Sequence, residues 1–322
     1  MLTEKDSLNL LFTFGGFVLG TILGSFVKAL ADRSLIQKTF TGRSYCPGCK
    51  HSLAWYDLFP VLSYLSTGGK CRYCHKKIDV EYLLVELGMG ILVGFLFWQT
   101  FKNFQFSILN LQSIFNFQFS KILESQALLV FTFDLIFKIF FIIILAILFL
   151  TDLKKMFIPD RIVIPAIWIG ITSLLVITLY KIGYLYYSLT QSPLGQKLLP
   201  PYSDYFPRHA LTASEPFWGS IITGLLIGGF FMSLIIITRG KGMGGGDVKL
   251  GAFMGIMLGF PQAIFALVLS FFTGAVFSVI LIMVGKKHFG QTIPFGPFLV
   301  LGSLIMLFWG GDIINWYLNL GK

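Results

Sequence analysis

Two aspartates and four cysteines are the residues best able to do chemistry in a chain that is otherwise apolar. Asp152 stands in "FLTDLKKMFIPDRIVIP" and Asp247 in "RGKGMGGGDVKLG", each at the edge of a long apolar run. Ionisable residues beside such runs are expensive to place and usually functional. Two carboxylates that share a site cannot both ionise easily, so one stays protonated. One then acts as general base on a water and the other as general acid toward a carbonyl oxygen. That is the arrangement of an aspartic peptidase. Two interfacial aspartates that never meet remain the open alternative at this point.

The four cysteines are Cys46 and Cys49 in "CPGC" and Cys71 and Cys74 in "CRYC", spaced C-x2-C-x21-C-x2-C. Each C-x2-C makes a tight knuckle that points two thiolates at one spot, and two knuckles give the four-sulfur tetrahedron that Zn²⁺ prefers. Lys50, Lys70, Arg72, Lys76 and Lys77 flank them and favour thiolates. A pair of disulfides is the competing reading, and it needs an oxidising compartment. His51 and His75 adjoin the knuckles, but four sulfurs already fill a tetrahedral site. Such a site keeps no open position, so the metal is expected to be structural.

The other ionisable residues near the runs have blander readings beside functional ones. Asp134 and Lys138 are four apart and can pair on one helix face. Asp160 follows Pro159 and can cap the helix expected from Arg161; it is also an accessory candidate. Glu86, in "LLVELGMG", is either a packed interfacial carboxylate or part of a ligand site. Gly244 and Gly246 precede Asp247 and allow positive φ or close approach. With Lys249 they are expected to support the loop that presents Asp247.

These residues must be positioned by membrane helices. Of 322 residues 55% are hydrophobic and 12% charged, against about a quarter charged in a soluble domain. Several apolar runs exceed the roughly 20 residues that span a bilayer as a helix. The fold class is therefore an all-α polytopic membrane protein, not a β-barrel, which would show short alternating segments. Eight spans are expected, at about 8–31, 83–101, 127–151, 162–187, 217–238, 248–260, 262–284 and 293–311. The sixth is too short for a full crossing and either sits beside a thinned bilayer or dips in and returns. The first run is expected to be a retained helix; Ala29-Leu30-Ala31 loosely matches a cleavage pattern, so a signal peptide is the alternative.

The net charge of +10 fits topology better than nucleic-acid binding. Cytoplasmic loops collect Lys and Arg. The 32–82 segment and the short connections with Lys154, Lys155, Arg161, Arg239, Lys241, Lys249, Lys286 and Lys287 are basic, whereas 102–126 and 181–216 hold five basic residues between them. The cysteine loop and both aspartates are thus expected on the cytoplasmic face and the N-terminus outside. The 102–126 stretch reads as an outer interfacial connection and 188–216 as an outer loop.

Taken together, these motifs resemble the type IV prepilin peptidases, bacterial membrane aspartyl proteases of the G-x-G-D class. The resemblance is carried by Gly24-Ser25-Phe26, by "GRSYCPGCKHSLAWYDLFPVLSYLSTGGKCRYC", by "TDLKKMFIPD", by "GMGGGDVKLG" and by "IPFGPFLVLG". It implies that Asp152 and Asp247 are the catalytic pair. It implies substrates that are prepilins or pseudopilins, cut after a glycine at the cytoplasmic face of the inner membrane. It also implies N-methylation of the new terminus with S-adenosylmethionine, at a binding site the sequence does not locate. Residues 1–101, with the zinc loop at about 32–82, are expected to serve methyl transfer, and 127–322 to form a six-helix peptidase part. The family often has Asn where Lys28 stands and Arg and Pro where Glu81 and Leu83 stand, so a peptidase without methyl transfer is the near alternative. A zinc-knuckle membrane scaffold or transporter subunit is the remote one. Oligomeric state is left open.

Overall fold

The computed structural model describes the backbone of residues 4–36, 39–40, 42–114, 117–240, 243–285 and 293–320, and their side chains outside 4–6 and 103–127. Among the described residues the architecture is helical, without a strand. The helices are α1 (Glu4–Leu35), α2 (Leu62–Ser66), α3 (Val80–Ile114), α4 (Phe117–Lys155), α5 (Asp160–Thr190), α6 (Pro193–Gln196), α7 (Tyr205–Ile237), α8 (Gly245–Leu258), α9 (Gln262–Met283) and α10 (Gly296–Asn319). Seven of them, α1, α3, α4, α5, α7, α9 and α10, are long and apolar enough to cross a membrane. The short one is α8, whose 14 residues rise only about 21 Å at 1.5 Å each.

The stretch expected as an outer loop at 188–216 is largely helical. α5 continues to Thr190, α6 follows, and α7 already starts at Tyr205. Ser192 starts α6 by accepting the Gly195 N–H, with Pro193 behind it, a capping arrangement that polar and Pro-containing sequence supports. The side chains of the 102–126 connection lie outside the described residues except Lys102, as do Lys241, Lys286 and Lys287.

By internal contacts the chain forms two compact units, Met1–Lys155 and Met156–Lys322. In the first, α1 lies along α3, and both pack on α4. Gly16, Gly20 and Gly24 repeat every fourth residue, so they share one face of α1. A methyl group added at Gly24 would lie 2.7 Å from Glu86 Cα, and one at Gly90 2.8 Å from Thr21 Cγ2. Small residues at this spacing let membrane helices approach closely where no hydrophobic effect drives them together.

The second unit wraps α8. It packs against α5, α7, α9 and α10, and Leu250, Phe253 and Met254 on it are fully buried. A methyl at Gly255 would fall 2.6 Å from Gly224 Cα on α7, the closest kind of helix approach. α8 can be short because protein surrounds it, so its ends need not reach water across lipid. Gly259 ends it at φ 67, a left-handed position that glycine adopts without strain. Phe295, from the "IPFGPF" segment, packs on Phe271 at 4.9 Å and edge-on to the buried Phe231 at 6.1 Å. Outside these contacts the long helices present rows of exposed Leu, Ile and Phe, such as Leu225, Ile236 and Phe272, as a lipid-facing surface requires.

Candidate functional site

The cysteine loop is built as two copies of one device. In the first, Tyr45 pairs with Ser52, the Cys46 N–H donates to the His51 carbonyl at 3.0 Å, and Lys50 turns back with φ 59. In the second, Lys70 pairs with Lys77, the Cys71 N–H donates to the Lys76 carbonyl at 2.9 Å, and His75 turns back with φ 55. The residue after each second cysteine therefore takes the left-handed turn that folds a knuckle. All four sulfurs lie within 4.8 Å of one another, and Cys46 Sγ is 3.8 Å from Cys74 Sγ. Four thiolates at the usual Zn–S length of about 2.3 Å stand roughly 3.8 Å apart at the edges of a tetrahedron. That separation is far too long for a disulfide, and all four cysteines are free. The residues present thus fit a metal ion.

The thiols are not equivalent. The Cys49 N–H, with that of Gly48 behind it, points at the Cys46 sulfur and draws its thiol down to about 7. The Lys76 N–H acts in the same sense on Cys74, but desolvation and the neighbouring sulfurs outweigh it and hold that thiol up at about 11. His51 does not join the sulfurs; its ring stacks on Tyr73 with centroids 3.8 Å apart. The rest of the loop is tied down through Asp57. It takes the Ala54 N–H at 3.2 Å, the Tyr73 hydroxyl at 3.0 Å and the Arg72 guanidinium at 3.2 Å.

Glu86 fastens this loop to α3. It is buried, and its Oε2 accepts the Val61 N–H at 2.7 Å, while the Ser25 hydroxyl also bonds its carboxylate. Val61 sits at φ 61, a conformation that a β-branched residue takes only when its surroundings force it. The Gly24-Ser25 pair thereby has a physical meaning: Gly24 lets α1 touch the Glu86 backbone, and Ser25 bonds its side chain. Glu86 is both a packed carboxylate and part of a polar site.

Close by, Lys28 is nearly inaccessible, yet it carries a charge on α1. Its Nζ bonds both Asp32 oxygens at 2.8 Å, lies 3.3 Å from Glu81 Oε2, and sits 4.5 Å over the Tyr82 ring. Lys154 completes the group, 3.0 Å from Asp32 and 2.9 Å from Glu81. Two cations and two anions from three helices thus neutralise one another. Lys28 and Glu81, two of the departures from the family pattern, are direct partners. For Leu83, the third, nothing in the structure explains the exchange.

The two aspartates lie in different units. Asp152 is buried one turn before the end of α4. Asp247 lies in the first turn of α8, the helix end whose free N–H groups favour negative charge. Around Asp247 the structure narrows one expectation and corrects another. Gly244 is extended and Gly245 and Gly246 are already helical, so none of the three uses a positive φ; of the run's described glycines only Gly240 does, at 74. At Gly246 the other expected use, close approach, is the one seen, since an added methyl would lie 3.0 Å from Ile158 Cβ. Asp160 does not cap α5, which it begins behind Pro159 without a side-chain cap; its carboxylate takes the Lys249 ammonium at 2.5 Å. Ile158 and Asp160 therefore contact the residues on either side of Asp247. Asp134 and Lys138 pair at 2.6 Å as expected.

Comparison with known proteins adds the following. Residues 18–100 match the bacterial Peptidase A24 N-terminal domain, which takes in all four cysteines and Glu86. Residues 206–279 match the type IV leader peptidase family, which takes in Asp247. Proteins named prepilin leader peptidase/N-methyltransferase are similar over most of the chain. That of Stutzerimonas stutzeri is 25% identical over 337 residues, covering 97% of this chain and 96% of its own. That of Bacillus subtilis is 26% identical over 305 residues, covering 94% and 97%, and that of Aeromonas salmonicida 28% over 279, covering 86% and 75%. No solved structure matches. Both domain matches fall in order on the cysteine loop with α1 and α3 and on the helices around Asp247, so the chain is similar in both parts to the type IV leader peptidases.

Proposed function

We propose that this protein removes the basic leader from type IV prepilins or pseudopilins at the cytoplasmic face of the bacterial inner membrane, and then N-methylates the new terminus. The full-length similarity to relatives named for both activities carries this reading. The intact four-cysteine cluster and the buried boundary carboxylate of Asp152 support it. The biased distribution of Lys and Arg supports a cytoplasmic cysteine loop and an outer N-terminus.

In the peptidase step Asp152 and Asp247 act as a pair on one water. One takes a proton from it as the oxygen attacks the scissile carbonyl carbon. The other donates to the carbonyl oxygen, and the proton then passes to the departing amine as the C–N bond breaks. Gly246, Ile158, Asp160 and Lys249 hold Asp247, and Gly244 leaves room beside it for an extended peptide.

In the second step the new terminal amine must lose a proton before its nitrogen can attack. S-adenosylmethionine, when bound, supplies an electrophilic methyl on a sulfonium whose C–S bond electrons return to sulfur. Residues 1–101 are assigned to this step, and 127–322 to cleavage. Zn²⁺ would be held by Cys46, Cys49, Cys71 and Cys74 and would keep the loop folded.

The test is to give the purified protein a synthetic precursor with and without S-adenosylmethionine, and to weigh the product by mass spectrometry. Cleavage in both samples, with one added methyl only when the donor is present, is expected. Cleavage without the added mass would leave a peptidase alone. An intact precursor would remove the whole reading.

A further inference from the structure

Between α1, α3 and the cysteine loop lies a cavity of about 440 Å³, inside the roughly 300–1,000 Å³ of small-molecule sites. Its inner wall is Ser25 and Ala29 on α1 and Glu86 on α3. Its outer wall is the loop, including Cys46 and Cys71 of the sulfur cluster and the half-exposed aromatic rings of Tyr45 and Phe59. Among the charged groups that line it is the Glu86 carboxylate, held by Ser25 and by the strained Val61 N–H. Backbone strain that persists beside a cavity points to a site that its surroundings have organised. A ligand suited to this space has a cationic centre to face Glu86 and a flat ring to lie on Tyr45 or Phe59.

We propose that this cavity is the S-adenosylmethionine site, with Glu86 facing the sulfonium and the aromatic rim taking the adenine. The inference rests on the methyl-transfer reading and adds a place to it. It also explains what the sulfur cluster does for that activity. Two of its cysteines line the cavity, so the metal shapes one wall without touching the reaction.

The assignment is tested by binding, not turnover, on the full-length protein in detergent. Dissociation constants are measured by calorimetry for S-adenosylmethionine and for S-adenosylhomocysteine, which has the same shape but a neutral sulfur. Glu86→Gln keeps a hydrogen-bond acceptor for Val61 and removes only the charge. It should weaken S-adenosylmethionine about tenfold and S-adenosylhomocysteine far less, so the preference for the cation collapses. Ala29→Phe fills the inner wall and should weaken both ligands by more than about tenfold. Zinc content of each variant verifies that the loop is folded. If both zinc-replete variants bind both ligands like the parent, the cavity is not the site while the methyl-transfer reading stands. If the parent binds neither ligand, both fall.

Discussion

Lys28 Nζ on α1 lies 3.3 Å from Glu81 Oε2 on α3, and the Lys28 side chain is 2% exposed. Each residue departs from the family pattern, and read separately each looks like a loss. Together they are one charge pair, completed by Asp32 and Lys154. Removing Glu81 would still leave Lys28 bonded to Asp32, so a swap that reverses a charge is the sharper perturbation. Lys28→Glu gives three anions around one cation, and Glu81→Lys the reverse. Each variant should unfold at markedly lower temperature in detergent, and the double swap should recover much of the loss. The coupling energy expected from the double-mutant cycle is roughly 1–3 kcal/mol. Additive losses would mean that the two sites act independently.

The proposed peptidase pair gives the most direct prediction. Asp152→Asn and Asp247→Asn are close in shape, so zinc content and helical circular dichroism should be unchanged. Cleavage of a prepilin reporter should fall by about 10²–10⁴-fold or more, since proton transfer in both directions is lost. The double variant should be little worse than either single one, because residues that act as a unit are not additive. Either single variant cleaving at the parent rate would remove that residue from the chemistry.

Much of this was legible in the sequence because it rests on short-range patterns. The cysteine spacing fixes a knuckle within a few residues, and long apolar runs declare membrane helices by composition alone. What was not legible depends on three-dimensional neighbours. Gly246 reads as free to take either a positive φ or a close approach until Ile158 is found against it. Asp160 looks like a cap until Lys249, 89 positions away, takes its carboxylate. The sixth run looks too short for its task because sequence cannot show that α8 is enclosed by protein. The every-fourth-residue glycines of α1 are visible in "GGFVLGTILGSF", yet only the packing on α3 shows what they do. The Glu86 site was half legible: a carboxylate in an apolar run is conspicuous, but its partner Val61 is 25 positions away.

Metal binding should depend on pH in a definite direction. Thiols must lose their protons to bind a metal. Near neutrality Cys46, drawn down to about 7, is already partly ionised, whereas Cys74, held up at about 11, still carries its proton. For the metal-free loop, the depressed Cys46 thiol favours the folded knuckle above its unfolded value of 9.0, and this support fades as pH falls through about 7. The raised Cys74 thiol works oppositely, supporting the fold below 9.0 and failing as pH rises through about 11. The metal must displace the Cys74 proton, so zinc affinity should climb steadily from pH 6.5 to 8.5. Competition with a chromophoric chelator at three pH values measures this. A flat profile would mean that the cysteines bind as already ionised groups.

The last prediction concerns the helix that carries Asp247. α8 reaches α7 through Gly255 and Gly224, where an added methyl would lie 2.6 Å from the opposing Cα. That atom is backbone and cannot swing aside, so the helices themselves must part. Gly255→Ala should cost roughly 1–3 kcal/mol, as overpacking does, and should displace the first turn of α8 along with its carboxylate. Gly229, on the same α7, has nothing within 4 Å of an added methyl, and alanine there should be neutral or slightly stabilising because glycine is the poorer helix former. Unfolding in denaturant gives the stability difference, and cleavage rate reports the displacement. The expected pattern is a loss of both in Gly255→Ala and of neither in Gly229→Ala. Equal behaviour of the two variants would show that close contact with α7 does not hold Asp247 in place.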